Sequence, residues 1–213
     1  MCNGGPLDMR LVNSSTMIVA GPTQAGKTTF VKQLLDQAHL VLKDSISKIY
    51  WICHERPLYD FNSKYIYIEG IPDDFSFIEA NSVVVLDDLM NEARQSPTVT
   101  ALFTKISHLK NVFIIYISQN FYNQGKEEIT RRRNCQYIVL FKNPADANQI
   151  QVIGRMMFPE QPRLLPMVYK DVVNSHPHAY LMIDLRQETP DCLRVRSNVL
   201  LEQNFPMTVY KQR

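Results

Sequence analysis

Residues Gly21-Pro22-Thr23-Gln24-Ala25-Gly26-Lys27-Thr28 match G-x-x-x-x-G-K-[ST] at every fixed position. A loop of this kind holds a phosphate chain. Its glycines let the backbone pass close to phosphate oxygens while successive N–H groups converge on them. A helix starting at the lysine adds the positive end of its dipole. Lys27 is expected to reach the β- and γ-phosphates of ATP and Thr28 to offer its hydroxyl to Mg2+, with Thr29 beside it in the phosphate cradle.

Three further constellations could act on that phosphate chain. VVVLDD (83–88) is an apolar run ending in acid, which sets carboxylates at a sheet's C-terminal edge, where α/β proteins bind ligands. Asp87 is expected to hold Mg2+ and Asp88 to polarise an attacking water; without the upstream loop the pair would read as a solvated turn. In IIYISQN (114–120), Gln119 ends another apolar strand, where it could orient water or report hydrolysis, or simply cap a loop. Arg131, Arg132 and Arg133 are open to three readings: a finger for a neighbouring subunit's ATP, contacts to DNA phosphates, or a solvated helix face. His176-Pro177-His178 and Cys53-His54 read as loop and strand-end features rather than metal sites.

These residues need elements to position them. Thr16–Ala20 (TMIVA) is a β-branched run directly before the loop, and Phe30, Val31, Leu34, Leu35, Ala38 and Leu42 recur at helical spacing after it. Residues 48–53 and 64–68 read as strands, and 82–86, 111–118 and 136–141 as strands covered on both faces. Helices are expected near 98–109 and 127–133. Another should start at Asn143 as N-cap, with Pro144 and Asp146 in the first turn and Ile150, Ile153 and Met157 buried, and a further one should end near 174. A last strand is expected at 179–185. Alternating strands and helices give an α/β domain around a mainly parallel sheet. The expected division is a lead-in (1–15), a P-loop ATPase domain (16–186) and an irregular tail (187–213). The strands between the lysine loop and Asp87 fit the P-loop branch in which a strand intervenes between the two motifs, the branch of ATP-driven motors.

Composition bounds the function. The 213 residues are 45% hydrophobic and 21% charged, which suits one domain with a large core and excludes wholesale disorder. A net charge of +2 is too small for a basic nucleic-acid coat, so any DNA contact needs a local patch. Acids dominate between residues 50 and 103, bases between 105 and 170. Cys2, Cys53, Cys135 and Cys192 are widely spaced and read as free thiols. The first residues hold no apolar run between charges, and the longest apolar stretch, near 112–117, is strand-length. An intracellular protein with no membrane partner is expected.

GPTQAGKTTF, VVVLDD, YISQN and RRRNCQYIVLFKNPADANQI stand in an order that resembles the viral genome-packaging ATPases of the FtsK–HerA superfamily. The polinton- and adintovirus-type enzymes, relatives of the poxvirus and giant-virus ones, are the most similar in look. They similarly carry an Arg-then-Asn segment, a strand, FKNP-x-D, an aromatic-Pro pair like Phe158-Pro159, and a closing strand like HAYLMIDLRQETPD. The resemblance covers about residues 16–191, and FKNPADANQI is its narrowest part. It implies a RecA-like sheet, a homo-oligomeric ring with active sites between subunits, and double-stranded DNA driven into a capsid at its vertex. It places the protein in the host cell, nucleus or cytoplasm, or on the virion. Asp88 stands where many motors have Glu. Two other readings remain open at this point: a small P-loop nucleotide kinase, because GPTQAGKTT also resembles a guanylate-kinase loop, and an exapted ATP-binding protein without motor activity.

Overall fold

β-branched and aromatic runs without polar alternation can be buried only if both faces of their sheet are covered. A computed structural model describes residues 8–56, 62–89, 93, 96–121, 126–144, 147–201 and 206–211. In it the runs form β1 (Thr16–Ala20), β2 (Ile49–Cys53), β3 (Tyr65–Glu69), β4 (Val83–Asp87), β5 (Phe113–Ser118), β6 (Tyr137–Phe141) and β7 (Tyr180–Asp184). β1, β5, β6 and β7 are buried along their whole length. Residues alternate between two apolar layers. Ile18 and Ala20 join one with Leu102, Phe103, Ile153 and Leu165. Met17 and Val19 join the other with Phe30, Val31 and Leu34.

The sheet order is β3-β2-β4-β5-β1-β6-β7-β8-β9, with β8 (Val195–Ser197) and β9 (Thr208–Tyr210) completing it. Pairing is parallel from β3 through β6 and antiparallel from there on. This is an α/β, RecA-like P-loop architecture. The strand that intervenes in space between the lysine loop and Asp87 is β5; β2 and β3 lie outboard of β4.

The helices differ in detail from their sequence pattern. The apolar stripe after the loop divides into α1 (Lys27–Asp36) and α2 (Ala38–Val41). Gln37 interrupts it because its buried side chain serves the far end of the chain, accepting the Leu201 N–H at 2.8 Å. The helix expected near 98–109 starts at Pro97, after a Ser96 cap whose hydroxyl accepts the Val99 N–H at 3.2 Å. It is α3 (Pro97–Ala101), continues as a π-helical turn (Leu102–Ile106) and closes as α4 (Ser107–Leu109). α5 (Lys126–Arg133), α6 (Ala147–Met157) and α7 (Leu164–Val173) follow. Asp146 lies outside the described residues, while Ile150 and Ile153 are buried.

Two expectations are corrected. The tail is not irregular throughout, because β8 and β9 extend the sheet. Each has three residues, too few for an alternation to register in sequence. Charge anchors β8: fully buried Asp184 on β7 binds Arg196 of β8 at 2.7 Å and Arg186 at 2.9 Å, and Arg196 also donates to the Met9 carbonyl at 3.1 Å. Nor are all the cysteines free. Cys53 and Cys135 are buried thiols, but Cys192 is disulfide-bonded, and sequence spacing holds no information on which sulfurs meet. No helix among the described residues is long and apolar enough to cross a membrane.

Candidate functional site

β1 delivers the chain to the C-terminal edge of the sheet, and the loop from Gly21 turns back there into α1. Two left-handed residues, Gln24 (φ 64) and Gly26 (φ 100), make the turn. Gly21 allows the close approach, since a Cβ there would stand 2.7 Å from Cβ of Phe141. No side chain caps α1, and its first turn holds no acid, so the helix's positive end faces the loop. Lys27 is buried, and its ammonium donates to the carbonyls of Gly21 at 2.7 Å and Pro22 at 2.8 Å. Burial holds its pKa below the ordinary lysine value.

β4 and β5 deliver the acids and the amide to the same edge. Thr23, Gln24, Lys27, Thr28, Asp87, Asp88, Ser118 and Gln119 line one cavity of about 340 Å3. The Thr28 hydroxyl donates to Oδ2 of Asp87 at 3.5 Å. Asp88 is exposed and left-handed (φ 54), a conformation costly for most residues and often found at functional sites. Burial, reinforced by the Asp88 carboxylate, pushes the Asp87 carboxyl up to about 6, with Lys27 and the Thr28 hydroxyl opposing. A hydroxyl beside a carboxylate is a hard oxygen set, and it fits Mg2+ shared with phosphate oxygens.

A raised carboxyl pKa has a defined sign in stability. The folded state binds the Asp87 proton more tightly than the unfolded chain does, so this contribution is full at low pH and is lost as pH rises through about 6. At neutral pH the ionised group is therefore a load on the fold. Asp87→Asn should melt higher than the parent by about 2–6 °C at pH 7.5, with the gain fading toward pH 4. It should also weaken Mg2+-dependent nucleotide binding. Asp88→Asn should bind Mg2+-nucleotide normally but turn it over slowly, because an amide polarises water poorly. Identical behaviour of the two in melting and binding titrations would refute this division.

The three arginines separate. Arg131 is fully buried: it binds Glu128 at 2.7 Å, donates to the Thr100 hydroxyl at 3.2 Å and lies over the Tyr116 ring. A guanidinium locked between α5, α3 and β5 cannot enter a neighbouring subunit, so Arg131 is corrected from candidate finger to core ion pair. Arg132 is half-buried with its guanidinium over Phe121, and Arg133 is exposed. Arg131→Met should destabilise the fold by about 3–5 kcal/mol by stranding the buried Glu128 carboxylate, and adding Glu128→Met should recover much of the loss. Denaturant titration of the two variants checks this. Equal stability of Arg131→Met and the parent would contradict it.

His178 was not legible as a site residue. It arrives because antiparallel pairing of β7 with β6 swings the preceding loop over the phosphate loop, where it lines a second cavity with Gly26, Thr29 and Gln33. No local signal in the sequence marks this.

No protein-family model and no curated protein sequence matches the chain. Solved structures do. The genome packaging NTPase B204 from Sulfolobus turreted icosahedral virus 2 in complex with AMPPCP superposes with a TM-score of 0.54 at 14% identity, covering 94% of this chain and 99% of that one. The same protein with ATP-gammaS gives 0.53 at 13%, covering 94% and 98%. B204, the DNA-packaging ATPase from Sulfolobus turreted icosahedral virus, gives 0.53 at 12%, covering 94% and 98%. At such identity the likeness is one of fold.

Proposed function

We propose that the chain is the ATP-hydrolysing subunit of a ring-shaped motor that moves double-stranded DNA into a viral capsid, a FtsK–HerA packaging ATPase of the polinton and adintovirus type. The observation that carries the reading is the convergence of Lys27, Thr28, Asp87, Asp88 and Gln119 on one cavity at the end of the parallel strands. B204, a genome packaging NTPase of the same fold, supports it. The base-rich stretch between residues 105 and 170 offers charge for a DNA backbone.

The residues divide the work of hydrolysis. The loop from Gly21 to Thr29 wraps the triphosphate, with backbone N–H groups at its junction with α1 as donors, and Lys27 balances charge on the β- and γ-oxygens. Thr28 and Asp87 would hold Mg2+, which when bound there neutralises phosphate charge. Asp88 accepts a proton from water as the water oxygen attacks the γ-phosphorus, and Gln119 orients that water. The bond between the γ-phosphorus and the bridging oxygen breaks, leaving ADP and inorganic phosphate. Arg132 or Arg133 of one subunit is the candidate to steady the charge at its neighbour's site.

Incubation with Mg2+-ATP and a panel of nucleoside monophosphates tests the reaction class. Phosphate release without any phosphorylated nucleotide is expected. Transfer to a monophosphate would assign the chain to the nucleotide kinases instead.

A further inference from the structure

Two cavities flank the phosphate loop on opposite sides along the sheet. The one toward β4 and β5 holds Asp87, Asp88 and Gln119. The other, about 440 Å3, lies toward β6 and β7 and is lined by Thr28, Thr29 and Gln33 of α1, by Phe141 and Tyr180, and by His178. A triphosphate whose terminal phosphorus meets the two carboxylates must send its other end out on the opposite side. That second cavity falls within the roughly 300–1,000 Å3 of ordinary small-molecule sites and combines aromatic walls with an amide.

We propose that His178 is a nucleoside-contacting residue, its imidazole walling the cavity beside α1 that receives the base and ribose of a nucleoside triphosphate. The inference rests on the nucleotide-site reading above and adds to it a residue that specifies the nucleoside half. The ring is tied to the phosphate loop. A carbonyl can only accept, so Nδ1 carries a proton and donates it to the Ala25 carbonyl at 3.0 Å. The backbone of His178 is left-handed (φ 61), a conformation a histidine adopts at a cost and that its surroundings must maintain. Gly26 yields the space: a Cβ there would stand 3.2 Å from Nδ1 and 3.3 Å from Cβ and Cγ of His178. The imidazole thus sits at the junction of phosphate loop and cavity, and it is exposed.

The test compares a nucleotide with its phosphates alone. Calorimetric titrations use Mg2+ with a non-hydrolysable ATP analogue, and Mg2+ with inorganic tripolyphosphate, against the parent, His178→Asn and Lys27→Ala chains. Asparagine tolerates a left-handed backbone and keeps an N–H donor for the Ala25 carbonyl, so the loop should stand while the ring is lost. His178→Asn should bind the analogue about tenfold more weakly, the scale of a lost aromatic contact, and bind tripolyphosphate as the parent does. Lys27→Ala should lose affinity for both. Unchanged analogue affinity in His178→Asn, or an equal loss for both probes, overturns the inference while leaving the phosphate site intact. A parent chain that binds neither probe overturns the nucleotide-site reading, and this inference falls with it.

Discussion

Lys27→Ala is expected to lower ATP turnover by at least about 10²–10³-fold, the scale for removing one preorganised charge from a transition state. The fold should survive the change. The ammonium's acceptors are the buried carbonyl of Gly21 and the half-buried carbonyl of Pro22, and Lys27 lines a cavity from which water can take its place. Its depressed pKa means that the charge is held at a cost in desolvation, and relief of that cost offsets part of the lost contacts. Melting temperature should therefore stay close to that of the parent while phosphate release falls by that factor. Near-normal turnover in a folded Lys27→Ala chain would sink the assignment of the loop.

The second large effect concerns a shared site. Arg132→Ala/Arg133→Ala should hydrolyse ATP about 10³–10⁵-fold more slowly if either arginine reaches a neighbour's γ-phosphate. Mixing this chain with Lys27→Ala should then restore part of the activity. The lysine variant still presents both arginines, and the arginine variant still has an intact phosphate loop, so a mixed interface assembles one complete site. Arg131 is left unaltered because its loss would cost stability rather than catalysis. The assay is first run without DNA, since the same arginines could also meet a DNA backbone. Salt separates the roles: losing DNA phosphate contacts flattens the salt dependence of DNA binding, and losing a finger does not. Full activity of the arginine double variant, with no rescue on mixing, would refute the shared site.

How much of this could be read from sequence follows from how local each signal is. The loop is a contiguous pattern, and Asp87 and Gln119 end runs such as VVVL and FIIYI whose burial on both faces could be read residue by residue. Arg131 could not be told from Arg133 in that way. On a helix as polar as KEEITRRR, the inward face is chosen by a distant partner, here Tyr116 of β5 and Thr100 of α3. β8 and β9 were hidden for the same reason: three-residue strands are held by pairing and by the Asp184–Arg196 ion pair, neither of which leaves a periodicity. His178 stayed hidden because its place depends on the antiparallel turn of β7 beside β6, which is a property of the sheet and not of HPH itself.

Steady-state phosphate release per subunit, measured over a wide range of protein concentration with and without linear double-stranded DNA, tests the central claim most directly. A ring motor with sites completed between subunits predicts turnover that requires Mg2+, rises steeply with protein concentration and rises further when DNA is added. A chain that stays monomeric, with the same turnover per subunit at every concentration and no response to DNA, would contradict it.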